Sequence, residues 1–124
     1  AASAYPWWLD VETANSWSNT TMNIAAIQGM LAGLDTAGAG GSTSPIGIYS
    51  TRSQWDQIVG TRTTYGATYG ATGGPTFPVM ADWIPGARNL SGAQSNCALS
   101  SFTGGAVAIT QWFGHPFDGD YACS

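Results

Sequence analysis

The chain has 124 residues, which is enough for one domain with a single hydrophobic core, and we expect residues 1–124 to form it. Only 8% of the residues are charged, lysine does not occur, and the formal net charge is −4. This balance argues against nucleic acid or an anionic membrane surface as a partner, because phosphate binding needs several Lys or Arg side chains. Lysine-based covalent chemistry is excluded, and no apolar run approaches the roughly 20 residues of a membrane span.

The first half of the chain predicts strands that alternate with helices. Apolar residues between 24 and 34 recur at helical spacing, and a glycine that favours a helix end follows them. Four elements are expected in this order: a strand over Tyr5–Thr13, an amphipathic helix that ends at Gly38, a strand over Pro45–Thr51 and a helix over Ser53–Val59.

The second half predicts two further strands, over Phe77–Ile84 and Gly105–Phe113. A tandem repeat rich in Tyr and Gly at 64–74 precedes the first of them and predicts a surface loop. It is no phosphate loop, because it precedes no helix and contains no lysine. The segment between the two strands is polar and irregular, with at most one helical turn, and the tail after 113 leaves room for a short last strand. Alternation of this kind indicates an α/β fold of parallel βαβ units.

Polar and aromatic residues are found at the ends of the predicted strands. In parallel α/β folds the carboxyl ends of the strands lie at one rim of the sheet, where binding sites form. We therefore expect these residues to meet there, with the last five binding a substrate: Asp10, Glu12, Tyr49, Asp82, Trp83, Gln111 and Trp112.

Asp10 and Glu12 are candidates for acid/base chemistry. Glu12 is the only glutamate, and a spacing of two residues puts both acids on one face of the predicted strand, with Cα atoms about 7 Å apart. On a surface rich in Trp, the more desolvated carboxyl has the higher pKa and can hold a proton while the other stays ionised. That division suits glycosidic-bond cleavage. The alternative is that these acids cap the segment Asn15–Asn19 or pair with an arginine.

Cys97 and Cys123 are predicted to form a disulfide, with two buried free thiols as the alternative. A disulfide implies an oxidising compartment, so we expect a secreted or cell-surface protein. His115 is the only histidine and is predicted to lie in a surface loop, since no nucleophile motif accompanies it. Asp118 and Asp120 do not make a calcium-binding pattern. We expect neither a metal nor a cofactor.

Four segments in this order resemble the family 25 glycoside hydrolases, the lysozyme-type muramidases: W-W-L-D-V-E-T, I-G-I-Y-S, I-T-Q-W and F-D-G-D. They look more similar still to secreted actinobacterial proteins with a related domain of unsettled function. The resemblance spans 7–120 and implies the C-terminal half of a TIM-like barrel. It implies that Glu12 is the general acid, that Asp10 positions the sugar or supports charge at its anomeric centre, and that Asp118 is a further catalytic aspartate. Asp120 stands where the family has Asn.

The resemblance favours a secreted glycoside-hydrolase-like domain that acts on a polysaccharide such as peptidoglycan. Two alternatives stay open: a non-catalytic carbohydrate-binding protein on a degenerate barrel, and a structural protein that self-assembles. A full barrel needs eight strands, whereas four or five are predicted, and an open parallel sheet would leave an unpaired edge. We therefore expect another copy, another chain or a different closure of the sheet to complete the fold.

Overall fold

The computed structural model describes residues 4–39, 46–66 and 77–124. Within these ranges the chain forms three helices and seven strands. In chain order they are β1 (Trp7–Asp10), α1 (Thr20–Thr36), β2 (Ile46–Tyr49), α2 (Arg52–Val59), β3 (Tyr65–Gly66), β4 (Phe77–Pro78), β5 (Met80–Ala87), α3 (Leu90–Asn96), β6 (Gly104–Trp112) and β7 (Gly119–Ala122).

The main sheet has the strand order β1-β2-β5-β6-β7, and β3 pairs with β4 in a separate ribbon. The first four strands of the main sheet are parallel, as the alternation of strands and helices predicted. The last strand, β7, runs antiparallel to β6. The connection over 113–118 is too short for the crossover that a parallel partner requires. The fold is therefore mixed α/β with mostly parallel strands, and a purely parallel arrangement is wrong at β7.

The two longer helices begin at side-chain caps. The Asn19 side chain accepts a hydrogen bond from the Met22 amide at 2.9 Å, and the Thr51 hydroxyl accepts one from the Gln54 amide at 3.2 Å. Such caps satisfy amide groups that a helix start leaves without a partner. Because these caps fix where α1 and α2 start, they fix which residues of each helix face the sheet.

One hydrophobic core lies between the helices and one face of the sheet. It contains Ile48 of β2 and Ile84 of β5 together with Ile27 of α1 and Trp55 of α2. Because successive strand residues point to opposite faces, their neighbours Tyr49 and Trp83 point away from this core. The residues that line the candidate site lie on that second face.

Several predicted boundaries differ from the observed ones. The third predicted strand divides at Val79 into β4 and β5, because β4 pairs with β3 rather than with the main sheet. The polar segment that follows contains α3, which is longer than a single turn and is capped by the Asn89 side chain. Most of the Tyr- and Gly-rich repeat lies outside the described residues.

The predicted disulfide between Cys97 and Cys123 is confirmed, with the two Cα atoms 5.5 Å apart. Cys97 directly follows α3 and Cys123 directly follows β7, so the bond ties the last helix to the last strand. Among the described residues, no helix is both long enough and apolar enough to span a membrane.

Candidate functional site

A cleft of about 340 Å³ opens on the second face of the main sheet. Strand alternation directs side chains from β1, β2, β5 and β6 towards it, and the loop after β1 adds one more. The residues that line it are Trp8, Asp10, Glu12, Tyr49, Trp83 and Gln111. The structure thus brings together five of the residues that the sequence predicted for the site, and adds Trp8.

Three aromatic rings form a continuous wall of this cleft. The Trp83 ring lies between the other two: its centroid is 5.6 Å from that of Trp8 and 5.2 Å from that of Tyr49, both in edge-to-face geometry. Trp8 can lie across β2 because its register partner there is Gly47. A Cβ atom at Gly47 would be 2.3 Å from the Trp8 ring, so this wall requires glycine at that position.

Glu12 lies in a loop and not on the strand, because β1 ends at Asp10. The predicted strand to Thr13 was too long. Two hydrogen bonds to or from backbone groups nevertheless fix the loop, one of them donated by a side chain. The Val11 amide donates to the Tyr49 carbonyl at 2.9 Å, and the Trp17 indole donates to the Glu12 carbonyl at 2.7 Å. Glu12 is therefore held at the carboxyl end of β1, where the prediction placed it, by loop contacts rather than by sheet pairing.

The carboxyl groups of Glu12 and Asp10 interact directly. Partial burial raises the pKa of Glu12, and a side-chain hydrogen bond with Asp10 and the negative charge of Asp10 raise it further. All three causes disfavour the ionised form of Glu12. The raised pKa favours the protonated form of Glu12, which is the form that a general acid needs.

Tyr49 joins the acidic part of the cleft to β6. Burial raises its pKa to about 12, and the charges of Glu12 and Asp10 and, more weakly, of Asp118 and Asp120 contribute to that shift. The phenol is therefore neutral at physiological pH, and its hydroxyl donates to Oε1 of Gln111 at 2.7 Å. This bond fixes the Gln111 amide with its oxygen towards Tyr49.

Asp120 is part of the site, although the sequence did not predict this role. It lies opposite Gln111 in the β6–β7 register, and its Oδ1 accepts a hydrogen bond from the Trp83 indole at 3.0 Å. The F-D-G-D segment contained the signal, because strand alternation puts Asp118 and Asp120 on one face. Asp118 does not line the cleft. Its Oδ1 accepts from the Gly114 amide at 3.1 Å, and its charge acts on Tyr49.

Two residues predicted for the site lie on the opposite face. Asp82 has no exposed surface, and its carboxylate accepts from the Phe102 amide at 2.8 Å and is hydrogen-bonded to the Thr103 hydroxyl. Trp112 packs over its register partner Gly119, where a Cβ atom would be 2.1 Å from the indole. Each is the strand neighbour of a cleft residue, so alternation turns it away from the cleft.

The acids of the cleft form no recognisable metal centre. Across the three described ranges, no group of three His, Cys, Asp or Glu side chains is close enough to hold a metal ion. The arrangement instead combines two interacting carboxyl groups with an aromatic wall. Aromatic faces present apolar area beside polar groups, which matches the alternating C–H and hydroxyl surfaces of a sugar ring.

Comparison with known proteins identifies the family of the chain. A family model described as lysozyme-like protein 1 matches residues 3–70, which include Asp10, Glu12 and Tyr49. The chain belongs to the GH family 25 lysozyme-like family. The family match covers β1 and β2, the two strands that supply the acidic side of the cleft.

Two relatives from Dictyostelium discoideum are similar to the chain. Probable GH family 25 lysozyme 4 is 34% identical over 106 residues, covering 85% of this chain and 40% of the relative. Probable GH family 25 lysozyme 2 is 36% identical over 72 residues, covering 58% of this chain and 27% of the relative. The chain thus spans less than half the length of either relative. No solved structure matches it significantly.

Proposed function

We propose that this chain carries the acid/base site of a secreted glycoside hydrolase that acts on a cell-wall glycan of the peptidoglycan type. The observation that carries the proposal is the state of Glu12. Burial and Asp10 raise its pKa, and it lines a cleft whose wall is formed by the aromatic rings of Trp8, Tyr49 and Trp83. A carboxyl that keeps its proton beside an aromatic surface is suited to protonating the leaving oxygen of a bound glycan.

The two carboxyl groups would have different roles, Glu12 as the general acid and Asp10 as the charge that stabilises the transition state. Glu12 donates its proton to the glycosidic oxygen as the bond to the anomeric carbon breaks. The negative charge of Asp10 stabilises the oxocarbenium-like positive charge that develops on the sugar ring. A water molecule then adds to the anomeric carbon, and the proton that it loses returns to the carboxylate of Glu12. The Trp83 indole donates a hydrogen bond to Asp120, and its ring packs against the bound sugar and holds it in position. Asp118 acts on this cleft through its charge.

The names of the relatives and the disulfide support the substrate and the location. Both relatives are described as probable lysozymes, which makes a peptidoglycan-type polysaccharide the first substrate to test. The Cys97–Cys123 disulfide fits an oxidising environment, as a secreted or cell-surface enzyme would meet.

We also propose that the main sheet corresponds to the C-terminal half of a TIM-like barrel, and that a second copy or another polypeptide completes it beside β1. Two observations support this. The strand β1 lies at one end of the described sheet and pairs there with β2 alone, and parallel sheets are rarely left open. The native mass in solution tests it: an oligomer or a complex is expected, and a monomer of 12.8 kDa with full activity would contradict it.

A non-catalytic carbohydrate-binding role is the second candidate. It is favoured by the aromatic wall, which would bind a sugar whether or not Glu12 transfers a proton. Two variants separate the two functions. In the enzyme, Glu12→Gln removes the release of reducing ends from peptidoglycan and leaves glycan binding intact. In a binding protein the wild type releases no reducing ends, and Trp83→Ala removes binding.

A further inference from the structure

The face of β6 that lines the cleft continues beyond the residues of the cleft. Ile109 is the register partner of Trp83, and Gln111 lines the cleft, so both lie on that face. The next residue in the alternation is Phe113. Its amide donates to the Ala87 carbonyl of β5 at 3.0 Å, which keeps the backbone extended one residue past the end of β6. Phe113 therefore lies about 7 Å beyond Gln111 along the same rim.

Phe113 presents an apolar ring to solvent at this position. Its side chain is 67% exposed, so the ring is not a member of the core. It directly continues a face that already has three aromatic rings. A ring at this position extends the apolar surface of the cleft face, and a contiguous apolar surface is what marks a ligand-binding groove.

The backbone of the loop that follows Phe113 is closely packed. The Gly114 amide donates to Asp118 at 3.1 Å, and a Cβ atom at Gly114 would be 2.0 Å from the Phe117 carbonyl oxygen. Only glycine permits so close an approach. Asp120, which lies in β7 at the far end of this hairpin, accepts a hydrogen bond from the Trp83 indole at 3.0 Å, so the hairpin lies beside the cleft.

We propose that Phe113 forms a second sugar-binding subsite, in which its ring stacks on the apolar face of the pyranose next to the one held in the cleft. This inference rests on the proposed function, because it requires that the cleft binds a glycan. It goes further by assigning Phe113, which does not line the cleft, to the binding of a neighbouring sugar, and by giving the direction in which the glycan extends, from Trp83 past Gln111 to Phe113.

Affinity as a function of oligosaccharide length tests the subsite. Calorimetric titration of the purified protein with β-1,4-linked N-acetylglucosamine oligomers of increasing length should give a rise in affinity when the second ring is added. Phe113→Ala should remove a gain in affinity of about tenfold, which corresponds to about 1.4 kcal/mol. Phe113→Trp should retain it. Circular dichroism should be unchanged in both variants, because the ring is exposed.

Phe117 provides a matched control. Phe117 is the same residue type in the same hairpin and is 84% exposed. Because it directly precedes Asp118, strand alternation turns its side chain away from the face that Asp118 and Asp120 share. Phe117→Ala should therefore bind the oligomers like the wild type. Equal affinity of Phe113→Ala and wild type for every length would overturn the subsite and leave the proposed function standing. Equal losses in Phe113→Ala and Phe117→Ala would also overturn it. A wild type that binds no oligomer of any length would overturn the proposed function together with the subsite.

Discussion

The carboxyl groups of Glu12 and Asp10 share a hydrogen bond at the carboxyl end of β1, although only Asp10 belongs to the strand. A strand position holds Asp10 beside β2, and loop contacts hold Glu12. The two acids can therefore be in different environments while they remain in contact. This difference raises the pKa of Glu12 and leaves Asp10 exposed.

The pKa of Glu12 should fall when Asp10 is made neutral. Asp10→Asn removes the negative charge that disfavours ionisation of Glu12. A carbon-13 NMR titration of the Glu12 carboxyl should therefore show a lower midpoint in Asp10→Asn than in the wild type. As the matched control, Asp35→Asn changes an exposed aspartate of α1 and should leave the midpoint unchanged. An unchanged midpoint in Asp10→Asn would mean that the two carboxyl groups do not interact.

Gly47→Ala should disrupt the aromatic wall. The added methyl group would be 2.3 Å from the Trp8 ring, so the indole must move, at an expected cost of about 1–3 kcal/mol in the free energy of unfolding. The near-ultraviolet circular dichroism from the Trp8–Trp83 contact should change and glycan affinity should fall. Gly33→Ala in α1 is the control. Nothing lies within 4 Å of its Cβ position, and alanine should stabilise the helix by up to about 1 kcal/mol.

Ionisation of the buried Asp82 carboxyl should lower the free energy of unfolding as the pH rises. Burial raises its pKa above the ordinary value despite hydrogen bonds from Thr103 and Phe102 that lower it. The single proton of the Thr103 hydroxyl lies within reach of both the Met80 carbonyl, at 2.8 Å, and Asp82. Thr103 therefore cannot donate fully to both acceptors, and the effect of burial on the pKa of Asp82 exceeds that of its hydrogen bonds. The folded state therefore favours the neutral carboxyl.

The sign of this effect follows from proton linkage. Since the pKa of Asp82 is higher in the folded state, its stabilisation is complete below the unfolded value of about 3.9 and is lost as the pH rises through the folded pKa. Asp82→Asn mimics the neutral acid, so its free energy of unfolding in urea should fall less than that of the wild type between pH 4 and the folded pKa. Parallel curves for the two proteins would contradict a raised pKa.

Reduction of the Cys97–Cys123 disulfide should lower the free energy of unfolding by about 3–4 kcal/mol. The two cysteines are 26 residues apart, and a closed loop of that length restricts the unfolded chain by this amount in the chain-entropy model. Urea unfolding with and without a reductant measures it. Cys97→Ala/Cys123→Ala should match the reduced wild type in either condition. A reductant effect that persists in the double variant would arise from something other than this bond.

The sequence predicted the order of the main elements because apolar periodicity and glycine positions depend on local structure. It also predicted most of the cleft, since strand ends in a parallel sheet meet at one rim. It did not distinguish Trp83 from its neighbour Asp82, because the face of each strand residue depends on register. The register between β5 and β6 shifts at this point, and no local pattern reveals such a shift.

The remaining differences also come from long-range contacts. Asp120 enters the site because β7 returns antiparallel to β6, and that pairing depends on a hairpin with weak strand signals. Trp112 was assigned to the cleft as a neighbour of Gln111, but the space above Gly119 accommodates its indole on the opposite face. Glu12 leaves the strand because the Trp17 and Val11 hydrogen bonds shape the loop.

The proposal that Glu12 is the general acid is tested most directly by the rate at which the protein releases reducing ends from peptidoglycan. This rate is compared between the wild type, Glu12→Gln and the control Asp35→Asn. Glutamine keeps the size of the side chain but cannot donate an acidic proton. If Glu12 is the general acid, Glu12→Gln should lose at least about a hundredfold in rate, while its glycan affinity and the rate of Asp35→Asn stay at the wild-type level. A Glu12→Gln protein that releases reducing ends at the wild-type rate would contradict it.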